Sequence, residues 1–227
     1  MKKYFYNILL LFKNIKNYGF ITVLKIILHE FFYIIKYRDF ASLSHDDNDS
    51  DSYEKTTKKN IYDTPYIPTP YYFLKIICLF LKKIKDDNFL ILDLGCGYSR
   101  VQYFFSSYFN SIFFGVDING KIIDKLKKKK IKNSYFLNLN LRKVEDLKLL
   151  IKKTKKIKKK KDLIVFFSDS FDLNLLKKVL KKLSNKFDFY CILINVKNTR
   201  FASNKYKTLF NKKFKNPQRN IKIFKVK

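Results

Sequence analysis

Two aspartates and a cluster of glycines are the residues here whose types and spacing could do chemistry. Four of the five glycines sit at positions 95, 97, 115 and 120, flanked or interleaved by Asp93 and Asp117. The segment Ile91-Leu-Asp-Leu-Gly-Cys-Gly-Tyr-Ser-Arg100 reads as a strand ending in a tight turn that opens a helix. Gly95 and Gly97 permit that turn and let a ligand approach the backbone closely. Asp117 ends the next strand, Ile112-Phe-Phe-Gly-Val-Asp117, where a carboxylate can accept hydrogen bonds from both hydroxyls of a ribose. A dinucleotide site would want a third glycine at position 100, so that a pyrophosphate could sit on the helix N-terminus, but this chain has Arg100. Asp93, at the mouth of the turn, would repel a pyrophosphate and suits a ligand carrying an ammonium group.

A nucleoside with an ammonium, a carboxylate, a ribose diol and no phosphate is S-adenosylmethionine (SAM), and the residue types fit it. Other chemistries find less support. Cys78, Cys96 and Cys191 are far apart and odd in number, which argues against a disulfide framework and a cysteine-based zinc site. His29 and His45 make no metal cluster. The acidic run His45-Asp-Asp-Asn-Asp-Ser-Asp-Ser52 lacks the glycine and closing glutamate of a calcium loop. Reduced cysteines point to a cytoplasmic protein.

The elements that must position these residues follow from periodicity. From Phe89 onward, strands alternate with helices: strands at 89–94, 112–117, 134–139, 162–168, 188–195 and about 220–226, and helices at 99–109, 120–129, 144–158, 172–185 and 203–212. That alternation implies an α/β, Rossmann-like, doubly wound and mostly parallel sheet. The continuous apolar runs 89–92 and 163–167 read as central strands, and the last strand as one alternating through Ile221 and Ile223. Before the sheet, Thr69 is expected to cap and Pro70 to open a helix reaching about Lys85.

Residues 1–40 form a basic, amphipathic helical extension, with helices at about 3–16 and 20–36 separated at Tyr18-Gly19. Residues 41–64 are a polar linker, and 65–227 the main domain. Neither apolar run near the start reaches the ~20 residues of a membrane span, and no small-residue cleavage site follows the first, so neither a span nor a signal peptide is expected. Two readings of residues 1–37 stay open: a cap packed on the main domain, or peripheral contact with an anionic membrane.

The formal charge is +30, from 49 Lys+Arg against 19 Asp+Glu. Only Arg38, Arg100, Arg142, Arg200 and Arg219 are arginines, whereas nucleic-acid sites lean on arginine for bidentate and stacked contacts. Nucleic acid is therefore not expected as a specific partner, although salt-sensitive attraction to polyanions is.

Leu92-Asp-Leu-Gly-Cys-Gly97 followed by Phe114-Gly-Val-Asp-Ile118 resembles motif I and the acidic second-strand motif of class I SAM-dependent methyltransferases, a likeness covering about 66–227. The resemblance implies a seven-stranded sheet with a reversed last strand. It implies that Asp93, Gly95 and Gly97 line the methionine moiety, that Asp117 holds the ribose, that Ile118 packs on the adenine, and that Asn138 or Asn140 lies near that ring; Cys96, Ser99 and Thr69 are further cofactor-binding candidates, with Cys96 otherwise a packed side chain and Thr69 otherwise fixing the chain into the first helix. Ser99 stands where the family often has a third glycine and is expected to cap the helix. Tyr66-Ile-Pro-Thr-Pro70 is similar to a bacterial subgroup with Y-x-P-[ST]-P before motif I; that subgroup often carries N-P-F after strand four, where this chain has Asp169-Ser170-Phe171.

The implied activity is methyl transfer to an acceptor O, N or C atom. Asp169 is the candidate to take a proton from the acceptor, or else only a helix N-terminal residue. A small-molecule or glycan acceptor is the first expectation, because no large substrate domain follows the last strand. A protein lysine at a membrane surface is the second. A basic binding module that kept the fold without catalysis is the rival from another class.

Overall fold

The computed structural model describes residues 11–37, 69–84, 88–129, 131–158, 161–167, 172–195, 205–216 and 219–227. Helices α1 (Leu11–Tyr18) and α2 (Phe20–Tyr37) meet at 118°. Gly19, between them, takes φ +84°, a left-handed conformation that ends the first helix and reverses the chain. Then follow α3 (Tyr71–Ile84), β1 (Phe89–Leu94), α4 (Arg100–Ser106), β2 (Ile112–Asp117), α5 (Gly120–Lys128), β3 (Ser134–Asn138), α6 (Val144–Lys158), β4 (Asp162–Phe167), α7 (Leu173–Ser184), β5 (Phe189–Ile194), β6 (Lys207–Lys213) and β7 (Asn220–Val226).

The seven strands form one sheet in the order β3-β2-β1-β4-β5-β7-β6. β1 through β5 pair in parallel; β7 is antiparallel to both neighbours. Every residue of β1 and β5 is buried, as befits strands covered on both faces. Leu90, Leu92 and Leu94 face one apolar cluster with the inward sides of α6 and α7. Phe89 and Ile91 face another, with α3, α4 and Tyr33 and Ile34 of α2.

Two expectations change here. Residues 203–212 read as helical, but 207–213 are strand β6. A register irregularity between Thr208 and Phe210 breaks the two-residue alternation, and adjacent Leu209 and Phe210 both pack into the α3-side cluster. Lysines at both ends of β6 suit an exposed sheet edge. In β7, Ile221 and Ile223 are buried as expected, but so are Phe224 and Val226, in the opposite cluster. One face of the strand meets the α3-side cluster and the other the α6–α7 cluster, so both faces are covered.

The crossing of β1 and β2 is tightly packed. A Cβ on Gly115 would lie 2.7 and 2.9 Å from two ring atoms of Phe136 and 3.0 Å from Cys96 Sγ. Phe136 is itself buried in the α5 cluster and has little room to yield. Gly115→Ala is therefore expected to destabilise by about 1–3 kcal/mol through overpacking. Urea denaturation checks this: the midpoint should fall at constant m-value.

Candidate functional site

The turn after β1 is built by backbone constraints. Gly95 and Gly97 take φ +80° and +47°. The N–H groups of Gly95 and Cys96 both donate to the Val116 carbonyl, at 2.8 and 3.0 Å, tying the loop to the end of β2. Gly97 N–H donates to Asp117 Oδ2, and Asn119 N–H to Oδ1, each at 2.9 Å. Asp117 therefore joins the two motifs read from the sequence. A carboxylate offers about four lone-pair directions, more than these N–H groups fill, and the residue is half-buried, so it can still accept from a ligand. Burial pushes its pKa up, against the three main-chain N–H groups that favour the charged form.

Asp93 sits on the same face of the sheet as Gly115, its register partner. It is 2% exposed, and its Oδ2 has no hydrogen-bond partner among the described residues. Burial lifts its pKa from 3.8 to about 7; nearby Gln102 favours the charge and Asp117 opposes it. The Gln102 amide is close enough for that but does not complete the bond, since its Nε2 is also unpartnered among the described residues. A buried carboxylate oxygen with nothing to accept from is costly in an empty protein and is the fit expected of an ammonium-binding group.

The other candidates divide. Ile118, next to Asp117, is 46% exposed and offers an apolar wall. Asn138 Nδ2 donates to the carbonyls of Asp117 and Ile118, at 3.1 and 2.7 Å, so its amide shapes the end of β2. Asn140 Oδ1 accepts from Arg142 N–H and its main-chain N–H donates to Asp146 Oδ2, bonds that shape the turn into α6. Cys96 is buried with Ile122, Ile123 and Phe136, and burial holds its thiol well above the ordinary pKa, so it packs as a neutral group. Asp169, Tyr66, Pro65 and Pro68 lie outside the described residues.

Ser99 does not cap α4 with its side chain. Its φ is +71°, left-handed, and its Oγ donates to Gln102 Oε1 at 2.8 Å, inside the core. The family's frequent glycine suits that φ; serine tolerates it here with an added internal bond. Thr69 does not cap α3 either. The Pro70 carbonyl accepts from Phe73 and Leu74, which puts Pro70 at the cap position, and the Tyr71 N–H donates instead to Glu30 Oε1 of α2 at 2.7 Å. The Thr69 carbonyl accepts from Arg100 at 3.3 Å.

That exposes structural roles the sequence did not assign. Arg100, the first residue of α4, is buried and pairs with Glu30 Oε2 at 2.7 Å while its guanidinium lies over the Tyr71 ring, 4.4 Å from the centroid. Asn119 caps α5, accepting from Ile122 N–H. The Asn119-Gly120 pair is a readable helix-start signal; Glu30–Arg100 has no local signal at all. Two cavities, of about 590 Å³ beside β3 and α6 and about 280 Å³ around Asn110 and Lys132, are lined by neither Asp93 nor Asp117.

No protein-family model matches the sequence, and no curated protein does. Solved structures do. A methyltransferase from Geobacter sulfurreducens superposes with a TM-score of 0.50 at 12% identity, covering 70% of this chain and 80% of that one. An RNA methyltransferase from Salinibacter ruber, in complex with S-adenosyl-L-homocysteine, gives 0.49 at 13% identity, covering 70% and 94%. A precorrin-6y C5,15-methyltransferase from Geobacter metallireducens gives 0.46 at 16% identity, covering 72% and 91%. With strand order 3-2-1-4-5-7-6, a reversed seventh strand and a glycine turn joined to the β2 carboxylate, this chain has the Rossmann-like fold of the class I methyltransferases.

Proposed function

We propose that the protein is a SAM-dependent methyltransferase acting on a small molecule or glycan. The observation that carries this reading is Asp93: a buried carboxylate oxygen without a partner among the described residues, at the mouth of a glycine turn. Asp93 would receive the ammonium of the cofactor, Gly95 and Gly97 the methionine backbone, Asp117 the ribose hydroxyls, and Ile118 one face of the adenine. When bound, SAM supplies an electrophilic methyl on a sulfonium. The chain's task is then orientation and exclusion of water, which needs no nucleophilic His or Cys. The neutral, buried Cys96 agrees with that division of labour. Asp169, two residues past β4 in the sequence, is the residue proposed to hold the acceptor or take its proton. The scarcity of arginine among 49 basic residues favours a small acceptor over a nucleic acid.

Calorimetric titration with SAM, followed by transfer of labelled methyl into fractionated cell extract, tests the reading. Saturable binding is expected, and Asp117→Ala should weaken it at least tenfold, since a hydrogen bond to a charged group contributes about 1.5–3 kcal/mol. Absence of binding at millimolar SAM would leave a non-catalytic module that kept the fold.

A further inference from the structure

We infer that α1 and α2 form an interfacial anchor that seats the protein on an anionic lipid bilayer. α2 has three faces. One, with Val23, Tyr33 and Ile34, is buried against the domain. A second, at three- and four-residue spacing, carries Phe20, Ile21, Leu24, Leu28, Phe31 and Ile35, all exposed; Ile21 is 68% and Phe31 70% exposed. The third bears Lys25, His29 and Lys36 beside the apolar stripe. A continuous apolar stripe this long on a soluble surface needs a partner. At 1.5 Å per residue it runs about 22 Å, a helix lying in an interface rather than across it.

Charge selects the partner. Residues 1–37 hold six lysines, at 2, 3, 13, 16, 25 and 36, and one acid, Glu30, which is committed to Arg100. Lys13, Lys16, Lys25 and Lys36 are exposed. A second copy would bring the same lysines, and a net charge of +30, against themselves. An anionic headgroup layer complements both the stripe and its rim.

The elbow also fixes orientation. Asn17 accepts from Asn216 through its main-chain carbonyl at 2.7 Å and its side-chain carbonyl at 2.9 Å, and Tyr18 Oη accepts from Asn195 Nδ2 at 3.0 Å. These contacts hold the two helices at their 118° bend, and no single helix among the described residues is long and apolar enough to cross a membrane. Tyr18 meets Asn195 after β5 and Glu30 meets Arg100 after the glycine turn, whereas Tyr33 and Tyr37 meet Tyr108 and Ser107 past the far end of α4, so α2 starts near the carboxyl end of the sheet and runs along α4 away from it. The anchor itself does not depend on methyl transfer.

Co-sedimentation of the full chain with vesicles of phosphatidylcholine, with and without phosphatidylglycerol, tests this. Binding is expected to the anionic vesicles and to weaken with salt. Leu24→Asp with Phe31→Asp should cut it at least tenfold without lowering the thermal midpoint, because both side chains are exposed. Lys25→Glu with Lys36→Glu should weaken only the anionic component, by about fivefold per charge removed. The inference is overturned if the full chain ignores anionic vesicles, as it would were another segment covering the stripe. Unchanged binding of the Leu24/Phe31 variant overturns it too, leaving unspecific attraction by lysines elsewhere. So does a dimer in solution that this variant converts to monomers.

Discussion

Asp93→Asn is expected to stabilise the ligand-free protein at about pH 8 while weakening SAM binding more than a hundredfold. The two effects have one cause. Holding a carboxyl whose pKa moves from 3.8 to about 7 works against the ionised fold by about 4 kcal/mol above that pH. An amide removes the charge but brings buried N–H groups of its own, which cost about 1–3 kcal/mol if unpaired. The net is a gain, read as a rise of a few degrees in the thermal midpoint. For the wild type, the sign of the pH dependence follows from linkage. The folded protein binds more protons than the unfolded chain between pH 3.8 and about 7, so its stability falls across that window and is flat above it. SAM affinity runs the other way, because an ammonium needs the ionised carboxylate: it should rise by up to tenfold per pH unit between about pH 5 and 7. Loss of a buried charged partner costs about 2–5 kcal/mol, which sets the hundredfold estimate for the variant. Titration calorimetry and thermal melts across that range measure both. A variant that binds SAM as tightly as wild type, or a wild type with flat profiles, removes Asp93 from the site.

What the sequence made legible was whatever depends on near neighbours. The buried strands β1, β4 and β5 announce themselves as apolar runs, and the glycine turn as a cluster in a glycine-poor chain. Asp117 was legible because it closes a strand; its bond to Gly97 N–H, which joins the two motifs, was not. β6 was not legible, since an irregularity that places Leu209 and Phe210 on one side mimics helical spacing. Strand β7 was legible at 220–226, but only its Ile221 and Ile223 face was read; Phe224 and Val226 fill the cluster on the other face. At the site, the capping roles given to Ser99 and Thr69 failed because both caps are settled by distant or buried partners. Ser99 turns inward to Gln102, and α3 borrows its acceptor from Glu30, forty-one positions before Tyr71.

Glu30→Ala is expected to be among the most damaging single changes in the chain, although Glu30 lies far from the chemistry in sequence. Its two oxygens serve different elements: one accepts the Tyr71 N–H at the start of α3, the other Arg100 at the start of α4. The Arg100 side chain is 3% exposed and that of Glu30 23%. Removing the acid takes a charged partner from a buried guanidinium that also touches the Thr69 carbonyl and the Tyr71 ring, and takes the Glu30 acceptor from the Tyr71 N–H. Breaking a buried pair costs about 3–5 kcal/mol; the partial exposure of Glu30 places this one near about 3 kcal/mol. For a chain of this size that lowers the thermal midpoint by about 6–12 °C. Replacing both partners together, Glu30→Leu with Arg100→Met, should recover most of the loss, because two apolar groups carry no desolvation penalty. The double-mutant cycle then isolates the pair from packing. If Glu30→Ala melts within a degree of wild type, the bond between α2 and the core is cosmetic. If the double variant is worse than either single one, Arg100 holds the glycine turn through its own packing and not through the acid. A tight coupling would mean that the helices bearing the exposed apolar stripe and the helix opening the cofactor turn are one mechanical unit, so that a load on the first is felt at the second.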